Sequence, residues 1–154
     1  MSSEGSMMDN QVVRAFFTYA TIVAVKMMLM SPFTTYFRLT RKVFANLEDT
    51  KLVSSTHDKK LVGLDPEVER VRRCHLNDLE NVVPFVLVGL LYTLTGPELS
   101  SALLHFRLFA GSRIFHTIAY VGALPQPCRA LSFMLGLVVT FSMAYRVLST
   151  VLLL

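Results

Sequence analysis

The chain has 154 residues, a formal net charge of +4 and a hydrophobic share of 53%. One domain fits this length, but soluble domains reach an apolar share of about 45–50% only when glycine is counted. Together with a mean hydropathy of +0.49, the composition argues against a small water-soluble bundle. It predicts an all-α integral membrane protein, a four-helix bundle formed by a single domain over residues 1–154.

Four apolar stretches predict the four helices, because a membrane span takes about 20 mostly apolar residues. Their expected bounds are 12–36, 66–94, 98–121 and 128–150. The first stretch has no basic leader before it and no small-residue cleavage site after it, so we expect it to stay in the chain as a signal anchor. Lys26 lies deep in that stretch and is expected to face the bundle and pair internally.

Basic residues concentrate between the first helix and the start of the second. This part of the chain holds nine of the 15 lysines and arginines, namely Arg38, Arg41, Lys42, Lys51, Lys59, Lys60, Arg70, Arg72 and Arg73. The turn after the second helix, 95–98, has none. The positive-inside rule therefore predicts a cytosolic loop at 38–65, with the termini on the other side. Membrane topology explains the concentration of basic residues in this part of the chain, so no nucleic-acid partner is predicted.

Local signals mark the helix ends. Asp65 is a typical N-cap before Pro66, which suits the first position of the second helix. Gly96 and Pro97 separate the second helix from the third. The segment GALPQPC then breaks the chain and places Arg129 in the first turn of the fourth helix. Residues 46–65 are polar and weakly patterned, and we interpret them as a loop.

Polar residues recur on one face of the second and third helices, since positions three, four and seven apart share a face. They are Arg73, Asn77 and Glu80 on the second helix, and Arg113, His116 and Tyr120 on the third. A charge near mid-bilayer costs at least about 2.5–3.5 kcal/mol, so such side chains normally turn inward. With Arg129 at the same level, they predict a polar pocket open to the cytosol.

The alternative interpretation is an internal salt-bridge network. It leaves charge uncompensated, because the cations expected at this level outnumber Asp78 and Glu80 by three. These cations are Arg38, Arg72, Arg73, Arg113 and Arg129. A cation at a helix N-terminus also opposes the helix dipole unless an anion occupies the site. The pocket therefore predicts an anionic, polar ligand.

Four long motifs resemble the MAPEG family, the membrane proteins of eicosanoid and glutathione metabolism. They are RLTRKVFAN, ERVRRCHLNDLEN, GPELSSALLHFRLFAGSRIFHTIAY and LPQPCRALSF. The resemblance implies a homotrimer of four-helix subunits with glutathione sites between adjacent subunits. It also implies the endoplasmic reticulum membrane, together with the mitochondrial outer membrane, and an active site that faces the cytosol.

By position, the resemblance implies a set of glutathione contacts with the catalytic Arg129 beside the sulfur. The contacts are Arg38, Arg72, Arg73, His75, Asn77, Glu80, Arg113 and Tyr120. The residue types fit, because arginine forks suit the two carboxylates of glutathione. The implied activity is a glutathione transferase acting on hydrophobic electrophiles that arrive from membrane lipid, with glutathione-dependent reduction of lipid hydroperoxides. No metal and no cofactor beyond glutathione is expected.

Two alternatives within the family stay open. One is a glutathione-dependent eicosanoid synthase or isomerase; Ala130 weighs against it, because the family's eicosanoid synthase carries a serine there. The other is a non-catalytic lipid-binding member, which does not need Arg129, Tyr120 and Glu80 together.

Overall fold

A computed structural model describes residues 7–152, apart from the side chain of Met8. Its four long helices are α1 Gln11–Arg41, α2 Pro66–Leu94, α3 Leu99–Val121 and α4 Cys128–Val151. Short 3-10 turns lie at Met7–Asp9, Glu48–Leu52 and Lys59–Leu61, and no β-strand is found between residues 7 and 152. The predicted all-α bundle of four helices is confirmed.

The start of α2 is the one predicted from the sequence. The carboxylate of Asp65 accepts hydrogen bonds from the backbone N–H groups of Glu67 at 2.9 Å and Val68 at 3.1 Å. Pro66 occupies the first helical position, where its missing N–H costs nothing. The turn to α3 uses Gly96 at φ +63°, a left-handed conformation that glycine adopts without strain.

The end of α1 differs from the prediction. The helix continues to Arg41 rather than residue 36, through Pro32, and ends with Lys42 in a left-handed conformation at φ 52°. Nothing after Pro32 breaks the helix, and cations in a last turn are favoured by the helix dipole. Arg38 and Arg41 lie in that last turn. Arg38 therefore belongs to α1 and not to the loop.

The segment between α1 and α2 is more ordered than its weak pattern indicated. An isolated parallel bridge pairs Phe44 with Val62. Thr50 is completely buried; its hydroxyl donates to the carbonyl of Leu47 at 2.7 Å and accepts from the N–H of Asp58 at 3.1 Å. These bonds are local and follow no hydrophobic period, which is why periodicity does not reveal them.

The helices α1, α2 and α4 are long and apolar enough to cross a membrane. Among the described residues, α3 is not in that group, because it carries His105, Arg107, Arg113 and His116. Of these, Arg113 and His116 are buried inside the bundle. Arg113 bonds to Asn77 and Asp78 of α2, and His105 lies 3.0 Å from the hydroxyl of Ser142 on α4.

An aromatic core fills the half of the bundle next to the α2–α3 turn. We use this name for the buried side chains Phe16, Phe85, Tyr92, Phe106 and Phe109. The rings of Phe85 and Phe109 stack with centroids 3.7 Å apart, and Phe16 lies 5.5 Å from Phe106. A Cβ on Gly89 would lie 2.5 Å from the ring of Phe16, so this packing requires glycine there.

Candidate functional site

The other half of the bundle buries charge. Asp78 of α2 accepts from the ammonium of Lys26 on α1 at 2.5 Å and from the guanidinium of Arg113 on α3 at 3.3 Å. Asp78 and Arg113 are completely buried, and the Lys26 side chain is 15% exposed. The internal pairing predicted for Lys26 is confirmed. These three residues form what we call the charge cluster, in which two cations share one carboxylate.

Four predicted site residues, together with His116, form one run of contacts that we call the polar string. Its members are Asn77, Arg113, His116, Tyr120 and Arg129. Nη2 of Arg113 donates to Oδ1 of Asn77 at 2.7 Å and lies 2.9 Å from Nδ1 of His116. The His116 and Tyr120 rings are 5.4 Å apart, and the guanidinium carbon of Arg129 lies 5.1 Å from the Tyr120 ring centroid. The string joins α2, α3 and the start of α4.

Arg129 lies in the first turn of α4, as the two prolines before it predicted. Pro127 occupies the N-cap position, and no side chain bonds to the free N–H groups of that turn within the described residues. Those N–H groups carry the positive end of the helix dipole. The helix start and the guanidinium together make a strongly electropositive position beside Tyr120.

Buried donors without partners are concentrated on the two arginines of the polar string. In the described part of the chain, Nε and Nη1 of Arg113 and Nε of Arg129 are buried and make no hydrogen bond. Leaving such a donor unsatisfied costs about 1–3 kcal/mol. A guanidinium can only donate, so these positions favour a group rich in acceptor oxygens or a sulfur anion.

Arg38, Arg72, Arg73 and His75 lie outside the polar string. Arg38 reaches the carbonyl of Val43 at 3.5 Å, and Arg73 is exposed. Arg72 forms a surface ion pair with its helix neighbour at 2.8 Å. Arg72 and His75 line a groove of about 290 Å³ between α1 and α2. This groove has a polar rim of threonine and serine from α1.

Glu80 lies in a different groove. It is exposed and lines a cavity of about 270 Å³ between α2 and α4, together with Leu137 and Thr140. His75 and Glu80 are five positions apart, which separates them by about 140° around a helix. Within the described residues of one chain, the predicted site residues lie in separate places, chiefly the polar string and the two grooves. It does not gather the predicted residues into one pocket.

Two members of this half were not among the residues assigned to contact glutathione. His116 accepts from Arg113, as their i, i+3 spacing on the predicted polar face of α3 indicated. Asp78 entered the alternative interpretation as a counter-charge for arginines, and it pairs with Arg113 at 3.3 Å. Its shortest contact is to Lys26, 52 positions away, which no local pattern indicates. No group of three or more His, Cys, Asp or Glu able to hold a metal occurs among the described residues.

The fold and the site define a class of protein: a multi-pass membrane protein with a polar, electropositive region at one end of a helical bundle. The family model described as the MAPEG family matches residues 16–149. The chain belongs to the MAPEG family.

Three relatives illustrate the similarity. The chain is 58% identical over 151 residues to microsomal glutathione S-transferase 1 of Sus scrofa, covering 97% of each chain. It is 60% identical over 144 residues to microsomal glutathione S-transferase 1 of Homo sapiens, covering 93% of each. It is 36% identical over 141 residues to prostaglandin E synthase of Bos taurus, covering 92% of this chain and 90% of the relative.

Proposed function

We propose that this protein is a membrane-bound glutathione transferase that binds glutathione as a thiolate and conjugates it to hydrophobic electrophiles. One observation carries the proposal: Arg129 lies at the uncapped start of α4, 5.1 Å from the Tyr120 ring, with a buried Nε–H that lacks a partner among the described residues. Identities of 58% and 60% to microsomal glutathione S-transferase 1 support the same activity.

Arg129 is the proposed catalytic residue because charge develops on the sulfur. A cation and a helix N-terminus lower the pKa of a thiol, and fixed charges that face a developing anion lower the barrier. The thiol proton leaves to solvent, and the thiolate attacks the electrophile, displacing its leaving group or adding to it. With a lipid hydroperoxide, two glutathiones would give their disulfide, an alcohol and water.

The remaining predicted residues are proposed to hold glutathione. The guanidinium groups of Arg38, Arg72, Arg73 and Arg113 suit its carboxylates, Glu80 suits its ammonium group, and the polar side chains of His75, Asn77 and Tyr120 suit its amides. No cofactor beyond glutathione and no metal is required for this chemistry. Hydrophobic second substrates would reach the thiolate from the bilayer, along the apolar outer faces of the helices.

We infer a homotrimer of single-domain subunits with the site between them. The support is the distribution of the predicted residues: His75 and Arg72 line one outer groove, whereas Glu80 lines another. A neighbouring chain could bring one groove against the polar string of the next subunit. The family supports the endoplasmic reticulum membrane and the mitochondrial outer membrane as locations, and the charge asymmetry supports a site that faces the cytosol.

A second candidate, a glutathione-dependent eicosanoid synthase, is favoured by the 36% identity to prostaglandin E synthase. The purified protein tests both candidates when given glutathione with either an aryl halide or prostaglandin H2. We expect rapid conjugation of the aryl halide and little isomerisation. The reverse ratio would favour the synthase, and inactivity toward both substrates with intact folding would favour the lipid-binding alternative.

The proposed orientation has its own test. Trypsin added to sealed microsomes should cut at Lys51, Lys59 or Lys60, because the loop that contains them is expected to face the outside of the vesicle. Arg14 and Arg146, near the two ends of the chain, should be protected until detergent is added, and they serve as internal controls. Loop cleavage that requires detergent would reverse the assigned topology.

A further inference from the structure

A second cavity lies far from Arg129, at the end of the bundle where α2 turns into α3. Its volume is about 370 Å³. Its walls come from three helices, with Tyr92 of α2, His105 of α3 and Ser142, Tyr145 and Arg146 of α4, and Glu98 lies at the turn. The proposed transferase chemistry uses none of these residues.

The floor of this cavity is fixed by hydrogen bonds. Nδ1 of His105 lies 2.7 Å from the carbonyl oxygen of Ser101, which can only accept, so Nδ1 carries the proton. Nε2 then accepts from the hydroxyl of Ser142 at 3.0 Å. The ring of Tyr92 lies 5.4 Å from that of His105 and supports it. These contacts hold the ring of His105 in place at the floor of the cavity.

The charged groups of the cavity are of opposite sign and stay apart. Glu98 accepts from the hydroxyl of Ser100 at 2.8 Å through Oε1. Among the described residues, the guanidinium of Arg146 makes no hydrogen bond or ion pair, and none joins it to Glu98. A carboxylate and a guanidinium across one cavity complement a ligand that carries both an anion and an ammonium group.

The face of α4 that leads away from the cavity is apolar and exposed. Tyr145 is 75% exposed, and Phe141, Val138 and Met134 continue the same face at spacings of four, three and four. The stripe runs from the cavity toward the middle of a membrane-spanning helix. A tyrosine at the end of such a stripe is typical of the membrane–water interface.

We propose that this cavity binds the headgroup of a zwitterionic phospholipid of the phosphatidylethanolamine type. The phosphate contacts Arg146, the ammonium contacts Glu98, and an acyl chain lies along Phe141, Val138 and Met134. This inference does not depend on the transferase activity. It depends only on the cavity, its two separated charges and the membrane-spanning character of α4.

Native mass spectrometry of the detergent-purified protein tests the proposal. The protein is given equal amounts of phosphatidylethanolamine and phosphatidylglycerol with identical acyl chains. We expect a preference for phosphatidylethanolamine of about threefold, as befits a solvent-accessible charge pair. Glu98→Gln should abolish the preference, because only the ammonium uses Glu98. Arg146→Gln should weaken binding of both lipids.

Glu48→Gln is the matched control, since Glu48 is exposed and lies in the loop between α1 and α2; its lipid preference should equal that of the unmodified protein. An unchanged preference in Glu98→Gln, or no preference in the unmodified protein, would overturn the proposal. Glycerophosphoethanolamine, the headgroup without acyl chains, should compete only weakly. Equal competition would assign the cavity to a water-soluble zwitterion instead of a lipid.

Discussion

The two halves of the bundle bury different chemistry. Next to the α2–α3 turn, the helices meet through the aromatic core, whose rings stack and cross at centroid distances down to 3.7 Å. In the other half, the same helices meet through the charge cluster of Lys26, Asp78 and Arg113. The aromatic half packs through ring contacts, whereas the charged half contains a carboxylate that Lys26 and Arg113 share, beside a smaller apolar cluster.

This difference indicates which half of the bundle offers buried hydrogen-bond donors to a ligand. The phenylalanine rings of the aromatic core carry no hydrogen-bond donor, and its one hydroxyl belongs to Tyr92, which also lines the cavity next to the α2–α3 turn. The charged half leaves buried guanidinium N–H groups without partners in the described part of the chain, at Arg113 and Arg129. The proposed glutathione chemistry therefore belongs to the charged half, whereas substitutions in either half can lower the stability of the bundle.

The largest effect is expected at the shared carboxylate. Asp78→Asn leaves two buried cations without a counter-charge, and removing one partner of a buried pair costs about 3–5 kcal/mol. We expect little folded protein by size-exclusion chromatography in detergent and a strongly lowered melting temperature. Lys26→Met should cost less, because Arg113 keeps its carboxylate. Equal losses in the two variants would contradict the shared-carboxylate account.

A smaller effect is expected in the aromatic half. Gly89→Ala places a Cβ against the buried ring of Phe16, and overpacking of this kind costs about 1–3 kcal/mol. Gly111→Ala is the matched control, because nothing lies within 4 Å of its Cβ position. That substitution should leave the melting temperature unchanged or raise it, since alanine favours helix. A similar loss of stability in both variants would show that the close approach to Phe16 is unimportant.

The smallest effect is expected at the proposed ammonium contact. Glu80→Gln should raise the KM for glutathione by about tenfold and largely spare kcat, because a charge-assisted bond present in both ground and transition states is lost. Glu80 is exposed in one chain, so stability should be unaffected. Steady-state kinetics decides the matter. A normal KM with a collapsed kcat would assign Glu80 to the chemistry.

Local signals in the sequence predicted the parts of the fold that depend on neighbouring residues. Asp65 and Pro66 fixed the start of α2, and the prolines before Arg129 placed it in the first turn of α4. The end of α1 was predicted too early, at residue 36, because the apolar stretch ends there whereas the helix continues through the polar residues Arg38 and Arg41. The hydrogen bonds around Thr50 could not be predicted either, because they follow no hydrophobic period.

The candidate site was predictable to the extent that it follows helix periodicity. The spacing of Arg113 and Tyr120 on α3 placed both in the polar string. The partner of Lys26 was not predictable, because Asp78 is distant in the chain and only the packing of α1 on α2 joins them. The separation of His75 from Glu80 was predictable, because five positions place them about 140° apart around a helix, but the groove that each residue lines depends on how the helices pack.

The most direct test of the central claim is the ultraviolet thiolate absorbance of the purified protein titrated with glutathione, compared between the unmodified protein and Arg129→Leu. Equilibrium binding of glutathione is measured on the same samples. The account predicts a thiolate band in the unmodified protein. In Arg129→Leu, it predicts that glutathione still binds while the band is lost at neutral pH and returns only at higher pH, because the bound thiol loses its cation. Weak binding with an undiminished band at saturating glutathione would contradict the account and place Arg129 on a carboxylate of glutathione instead.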